Sequence, residues 1–238
     1  MGSDPQEPAD DRGAGAGSAA AEPVSQAQLA RRKRALRADL VRRRRERGAG
    51  PEAAARRREL GLRWAEHLEA LLRRRLPAGA LIAAYLPTDT EPPLMPALTA
   101  ALAAGHRVIA PVSLPQRSLD WVRWDPETPV RTSAFGVAEP VGPRLGPEAF
   151  AAADVRLIPA LAVDGRGLRL GWGGGFYDAA LAAARPRGPE ALEIGVVFHD
   201  ELLPAGAVPA GPHDAAVALV CTERGLLRRT DRGWVPAD

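Results

Sequence analysis

Four glycines stand within residues 171–175, in the run Arg169-Leu170-Gly171-Trp172-Gly173-Gly174-Gly175-Phe176-Tyr177-Asp178. Glycine reaches positive φ without steric penalty and has no Cβ to hold a ligand away. Successive N–H groups in such a turn form a concave nest that suits an anion. The residues that follow, 176–181, read as the first turn of a helix, whose N-terminus adds partial positive charge at the same place. Val155-Arg156-Leu157-Ile158-Pro159 upstream reads as a strand. Strand, glycine loop and helix is the geometry of a phosphate site in an α/β protein. The loop is neither a Walker A motif, since no Gly-Lys-Ser/Thr closes it, nor a Rossmann fingerprint, since its spacing differs. Arg169 and Asp178 flank it as a cation and a carboxylate, the groups a triphosphate and its magnesium require.

The remaining chain fits the same class. An apolar strand over 80–86 and a helix over 92–104 begin an alternation that continues with strands at 107–112, 119–124, 155–159, 194–198 and 216–222. A terminal hairpin is expected over 225–235, around Asp231-Arg232-Gly233. The expected fold is α/β: a mostly parallel sheet with helices on both faces, preceded by an N-terminal helical pair. The first helix starts at a capping box, Ser25-x-x-Gln28, with Val24 and Leu29 as a hydrophobic staple, and ends near Arg47. Gly48-Ala49-Gly50-Pro51 breaks it, and Pro51 suits the first position of a second helix. There Leu60, Trp64, Leu68 and Leu72 recur every fourth residue as one buried stripe. Residues 1–23 carry almost no bulky apolar side chain and are expected to be a disordered extension, leaving 24–238 as a single domain.

Composition removes several alternatives. The single cysteine, Cys221, offers no disulfide framework and no cysteine metal site, and its apolar neighbours suggest a buried strand position. No apolar run approaches the ~20 residues of a membrane span, and the N-terminus is unlike a signal peptide. A cytoplasmic, non-membrane protein is expected. A net charge of +3 suits small anions and does not call for nucleic acid. Lys33 is the only lysine in an arginine-rich chain, and a compact ammonium is not interchangeable with a guanidinium at a phosphate. Lys33 and Arg37 are four apart, so they share a helix face. Residues 42–45 read as a solvated basic face.

The segment Pro159-Ala160-Leu161-Ala162-Val163-Asp164-Gly165-Arg166-Gly167-Leu168-Arg169 and its continuation to Asp178 closely resembles the signature of the 5-formyltetrahydrofolate cyclo-ligase family. Shorter matches follow in the family's order. They are Lys33-Arg34-Ala35-Leu36-Arg37; Tyr85-Leu86-Pro87 with Glu91; Phe135-Gly136-Val137-Ala138-Glu139-Pro140; and Pro209-Ala210-Gly211-Pro212-His213-Asp214. The chain departs from the family at Leu94, where a threonine is usual, and at Phe176, where the first of two tyrosines is usual. Trp172 stands at a variable position.

The resemblance implies an ATP- and Mg2+-dependent enzyme that converts 5-formyltetrahydrofolate to 5,10-methenyltetrahydrofolate, ADP and phosphate. It implies catalytic roles for Lys33, Arg169 and Tyr177. ATP would lie on Lys33, Arg37, Arg169, Gly171, Gly173, Gly174, Gly175, Phe176 and Tyr177. Folate would lie on Leu86, Glu91, Trp172 and Phe176, and magnesium on Asp178 and Asp214. His213 would orient its loop. Glu139-Pro140 marks a turn without assigned chemistry, and Trp64, Trp121 and Trp124 read as core. A monomer is favoured. Two other classes fit less well: an RNA-binding module using the basic helices, and a sugar-phosphate isomerase, which needs an acid/base pair and no ATP.

Overall fold

The computed structural model describes Met1 and residues 25–184, 191–209, 211 and 214–237. Val24 of the expected staple, His213 and nearly all of the expected extension lie outside these residues. In chain order the elements are α1 (Gln26–Arg47), α2 (Ala53–Arg75), β1 (Leu81–Ala83), α3 (Met95–Ala103), β2 (Arg107–Leu114), β3 (Ser118–Arg123), β4 (Val130–Thr132), β5 (Ala138–Pro140), α4 (Glu148–Ala151), β6 (Val155–Pro159), β7 (Ala162–Asp164), β8 (Arg169–Leu170), α5 (Phe176–Ala184), β9 (Leu192–Val196), β10 (Leu202–Leu203), β11 (Leu219–Thr222), β12 (Gly225–Thr230) and β13 (Gly233–Pro236).

The main sheet has eight strands in the order β13-β12-β11-β9-β6-β1-β2-β3. Its centre, β11-β9-β6-β1-β2, is parallel. Antiparallel β3 closes one edge and the β12–β13 ribbon the other. The sheet is therefore mixed at its margins and parallel where it is most buried, as βα crossovers require. Alternate strand residues divide between two cores. Ile82, Ala84, Val108, Leu157 and Ile194 pack with Trp64 and Leu68 of α2 and Leu98 of α3. Ala83, Ile109, Ile158 and Val197 pack on the other side with Phe150 of α4 and Leu181 of α5. Trp64, Trp121 and Trp124 are all buried, as is Cys221, whose burial pushes its thiol up to about 12.

The chain leaves β1 in one direction, through α3 to β2, and leaves β6 in the other, through α5 to β9. Neighbouring strands that depart to opposite sides open a crevice at their carboxyl ends, where such sheets bind ligands. The crevice between β1 and β6 is lined by Tyr85, Leu86 and Glu91 after β1, and by the glycine run after β6.

Several expectations need correction. The glycine run is not fed directly by β6. A hairpin, β7–β8, intervenes and joins β10 in a separate three-stranded sheet. Its strands of two or three residues carry no readable alternation. The helix expected from residue 92 begins at Met95, and α2 begins at Ala53, two residues beyond Pro51. The strand expected over 80–86 is ordered as strand only over Leu81–Ala83. Glu139-Pro140 lies in a short strand, β5, rather than in a turn. Residues 42–45 are not uniformly solvated: Arg44 is buried. It continues the Leu36–Leu40 stripe of α1 at four-residue spacing. Leu40 packs with Leu161, Leu170 and Val208 against the small sheet. The two N-terminal helices thus serve different partners, α1 the small sheet and α2 the main one.

Candidate active site

The crevice holds a cavity of about 620 Å³, and all of the candidates named from the sequence line it: Lys33, Arg37, Leu86, Glu91, Arg169, Gly171, Trp172, Gly173, Gly174, Gly175, Phe176, Tyr177, Asp178 and Asp214. One wall is the glycine run. Gly173 and Gly175 sit at φ +103° and +73°, a region that residues with a Cβ rarely adopt. Both lie just before α5, so the run is an open concavity at a helix N-terminus.

Cations surround this wall. Lys33 and Arg37, one turn apart on α1, both reach it. Arg37 Nε donates to the Gly171 carbonyl at 2.8 Å, and its guanidinium lies over Gly173, where a Cβ would stand only 3.3 Å from Cζ. Lys33 Nζ lies 2.6 Å from Asp214 Oδ2, which also accepts from the Gly211 N–H at 2.6 Å. Arg169, nearly buried, pairs with Asp178 and donates to the Ala215 carbonyl at 2.7 Å. Each carboxylate is thus held against a cation that a polyphosphate would also attract.

The opposite wall is built on Glu91, at the end of the loop after β1. Its backbone is clamped from α2: Arg57 donates to the carbonyls of Thr88, Asp89 and Glu91 at 2.7–2.8 Å. Its carboxylate accepts from Thr88 N–H at 2.9 Å and Thr88 Oγ1 at 3.0 Å. Across the cavity, Trp172 Nε1 donates to Glu91 Oε1 at 2.8 Å. The glycine run and the Glu91 loop, far apart in sequence, are therefore joined by one hydrogen bond. Phe176 and Phe135, with ring centroids 5.3 Å apart and edge-to-face, form an apolar rim.

Sequence reasoning missed four contributors. Arg57, which fixes the Glu91 loop, is one of many arginines and has no local motif. Glu139 is buried at the cavity edge, accepting from Ser113 N–H at 2.8 Å and pairing with Arg131 at 3.4 Å. Tyr85 lines the cavity beside Leu86. Arg44 lies beneath, paired with Glu201 at 2.7 Å. Burial alone would lower the Arg44 pKa, but the hydrogen bonds and charge of Glu201 outweigh it and raise the pKa, so the guanidinium stays charged. The hydroxyls of Tyr85 and Tyr177 are buried without a partner among the described residues. Burial, reinforced by Glu91, raises both phenol pKa values, so both remain protonated donors.

Glu91 already accepts three hydrogen bonds, and a carboxylate offers about four sites. A ligand that takes two must therefore displace one. The exposed indole of Trp172, 44% accessible, is the donor free to leave. A ligand on Glu91 is expected to shift tryptophan emission, and Trp172→Phe to abolish the shift. An equal shift in the variant would show that Trp172 does not move.

An α/β fold with a glycine run at its switch point, ringed by cations and facing a polar–aromatic wall, is the arrangement of an α/β enzyme that can seat an anionic ligand beside a flat one. The match with the 5-formyltetrahydrofolate cyclo-ligase family model spans residues 30–223. The 5-formyltetrahydrofolate cyclo-ligase of Mycolicibacterium smegmatis is 41% identical over 156 residues, 63% of this chain and 77% of that protein. The Aquifex aeolicus 5,10-methenyltetrahydrofolate synthetase structure is similar at TM-score 0.59 and 27% identity, covering 87% of this chain and 96% of that one. That of Mycoplasma pneumoniae, at 20% identity and TM-score 0.60, shares the fold over 80% of this chain and 98% of that one. The chain belongs to the 5-formyltetrahydrofolate cyclo-ligase family and is an enzyme of that ligase class. Among the described residues no helix is long and apolar enough to cross a membrane.

Proposed function

We propose that this enzyme uses ATP and magnesium to convert 5-formyltetrahydrofolate to 5,10-methenyltetrahydrofolate, releasing ADP and phosphate, as a single-domain cytoplasmic protein. The observation that carries the reading is the pair of unlike walls in one cavity, a glycine run with three cations facing a buried carboxylate. Two substrates held so close need little more than alignment.

The chemistry suits that arrangement. A formyl oxygen is a poor leaving group. Transfer of the γ-phosphoryl group to it makes it a good one and leaves ADP. Nitrogen 10 of the same folate then attacks the activated carbon, loses its proton, and phosphate departs with the former formyl oxygen. Both reacting ends belong to one molecule, so the protein contributes positioning and charge stabilisation. No protein nucleophile is required.

In this reading Lys33, Arg37 and Arg169 hold the phosphates, and Lys33 and Arg169 neutralise charge on the transferring group. The glycine N–H groups bind phosphate oxygens. Phe176 and Tyr177 flank the nucleotide at the start of α5. Glu91 accepts from the amino-pyrimidine edge of the folate, with Leu86, Trp172 and Phe176 around its ring. The residues present fit magnesium, which favours few carboxylates together with waters and phosphate oxygens. Among the described residues no cluster of three or more His, Cys, Asp or Glu side chains forms a cage, so Asp178 and Asp214 would hold the ion jointly with phosphate. When bound, the ion would neutralise charge on the phosphate oxygens.

Lys33→Ala is expected to raise the KM for ATP and lower kcat, for a combined loss in kcat/KM of about 10²-fold or more. The KM for folate should move little. The same experiment tests the function: ADP release must require folate. ADP formed equally without folate would contradict the reading, and wild-type kinetics in the variant would remove Lys33 from it.

A further inference from the structure

We infer that the Tyr85 hydroxyl is a specificity-determining donor of the folate subsite, donating to the ring carbonyl oxygen next to the N–H and amino groups that Glu91 accepts. The inference rests on the folate reading of the cavity.

Tyr85 follows β1 at the carboxyl edge of the sheet and lines the cavity next to Leu86. It is only 5% exposed, and its hydroxyl has no hydrogen-bond partner among the described residues. Buried polar atoms are nearly always paired, and one left unpaired forfeits its bonds to water. An unpaired hydroxyl on a residue lining a cavity therefore points to an atom supplied by a ligand. The polarity of that atom follows from the surroundings. Burial, reinforced by the charge of Glu91 and only partly offset by Arg44, holds the Tyr85 proton firmly. It offers a donor to an acceptor.

Glu91, which lines the same cavity and whose charge acts on the Tyr85 hydroxyl, offers only acceptors. An acceptor and a donor side by side complement an amide edge, in which a ring N–H adjoins a carbonyl. The 4-oxo pteridine ring of a reduced folate carries such an edge. Tyr177 also has an unpaired hydroxyl, but it stands on α5 at the glycine wall, where the nucleotide is placed above. The mechanism leaves Tyr85 without a role, and the sequence marks it only as the residue before Leu86.

The test uses the full chain and two ligands, 5-formyltetrahydrofolate and its 4-amino-4-deoxy counterpart, in which an amine replaces the ring carbonyl. Binding of each is measured calorimetrically without ATP, for the wild type and for Tyr85→Phe. The wild type is expected to favour the 4-oxo ligand. Tyr85→Phe is expected to bind it about tenfold more weakly, the scale of one neutral hydrogen bond. Its affinity for the 4-amino ligand should be nearly unchanged, so the discrimination falls about tenfold, leaving the part that Glu91 supplies by accepting from the ring N–H that the 4-amino ring lacks. In turnover the loss should appear in the KM for folate, with kcat and the KM for ATP close to wild type. A merely structural role would weaken both ligands alike and lower the melting temperature. Undiminished discrimination in Tyr85→Phe, or its absence in the wild type, would overturn the role of Tyr85 and leave the folate reading standing. A folded wild type that binds neither ligand would overturn the folate reading itself.

Discussion

Asp178→Asn should lower turnover by about 10²-fold or more while leaving the fold intact. Asp178 stands in the first turn of α5, lines the cavity, and pairs with Arg169. Asparagine keeps the shape and one acceptor oxygen but loses the charge. In the proposed reaction that charge does two things: it helps to hold magnesium against the phosphates and it orients Arg169. Loss of one preorganised electrostatic group in a closed site costs roughly 10²–10³ in kcat. The variant should also need more magnesium to reach its own maximum rate, because a metal ligand has been weakened. Stability should change little, since asparagine keeps an acceptor oxygen for the buried Arg169 guanidinium, which also donates to the Ala215 carbonyl. Initial rates against magnesium concentration, with thermal melting as a control, decide the matter. Wild-type turnover with an unchanged magnesium requirement would remove Asp178 from the site.

Arg44→Ala should destabilise the fold by about 3–5 kcal/mol, because it takes the bidentate partner from a buried carboxylate and leaves it only the long Arg47 contact at 3.5 Å and the Phe198 N–H. Arg44 and Glu201 are 0% and 3% exposed and meet through two bonds, Nε–Oε1 at 2.8 Å and Nη2–Oε2 at 2.7 Å. Arg44 also donates to the Ala160 carbonyl at 2.6 Å, tying α1 to the segment between β6 and β7. Its guanidinium lies 5.8 Å from the Trp172 ring and 5.6 Å from the Phe198 ring. Because α1 carries Lys33 and Arg37, loosening this clamp should weaken ATP binding as well. Joint replacement, Arg44→Met with Glu201→Leu, removes both charges and should recover most of the lost stability. Urea unfolding of the wild type, the single variant and the double variant measures this. A single variant within about 1 kcal/mol of wild type would show that the pair does not anchor α1.

The contrast between these two residues shows what a sequence makes legible here. Asp178 was visible because a short local pattern, glycines before a helix with an acid in its first turn, carries its own chemistry. The Ser25–Gln28 capping box is seen in the structure, with Gln28 N–H donating to Ser25 Oγ at 3.2 Å and Ser25 N–H donating to Gln28 Oε1 at 3.0 Å. The terminal hairpin likewise pairs Thr230 with Gly233 around the expected turn. In the same way, Trp64 and Leu68 were legible from four-residue spacing alone. Arg44 was not, because its partner lies 157 residues away and an arginine among arginines reads as surface. Arg57 was hidden for the same reason: it acts through the carbonyls of a distant loop. The β7–β8 hairpin was hidden because it is too short to show alternation, and its function is to offset the glycine run from the main sheet. Those residues were legible which sit in a local pattern or in a motif of the resembled family, Lys33, Glu91, Trp172 and Asp214 among them although their partners are distant. Arg44 and Arg57 belong to no such pattern and act only across the fold.

The most direct test of the central claim follows near-ultraviolet absorbance of the purified protein with 5-formyltetrahydrofolate, ATP and magnesium. Absorbance should rise as the methenyl product forms, require ATP and magnesium together, and be accompanied by one ADP for each product. No rise from folded protein with intact substrate would contradict the claim.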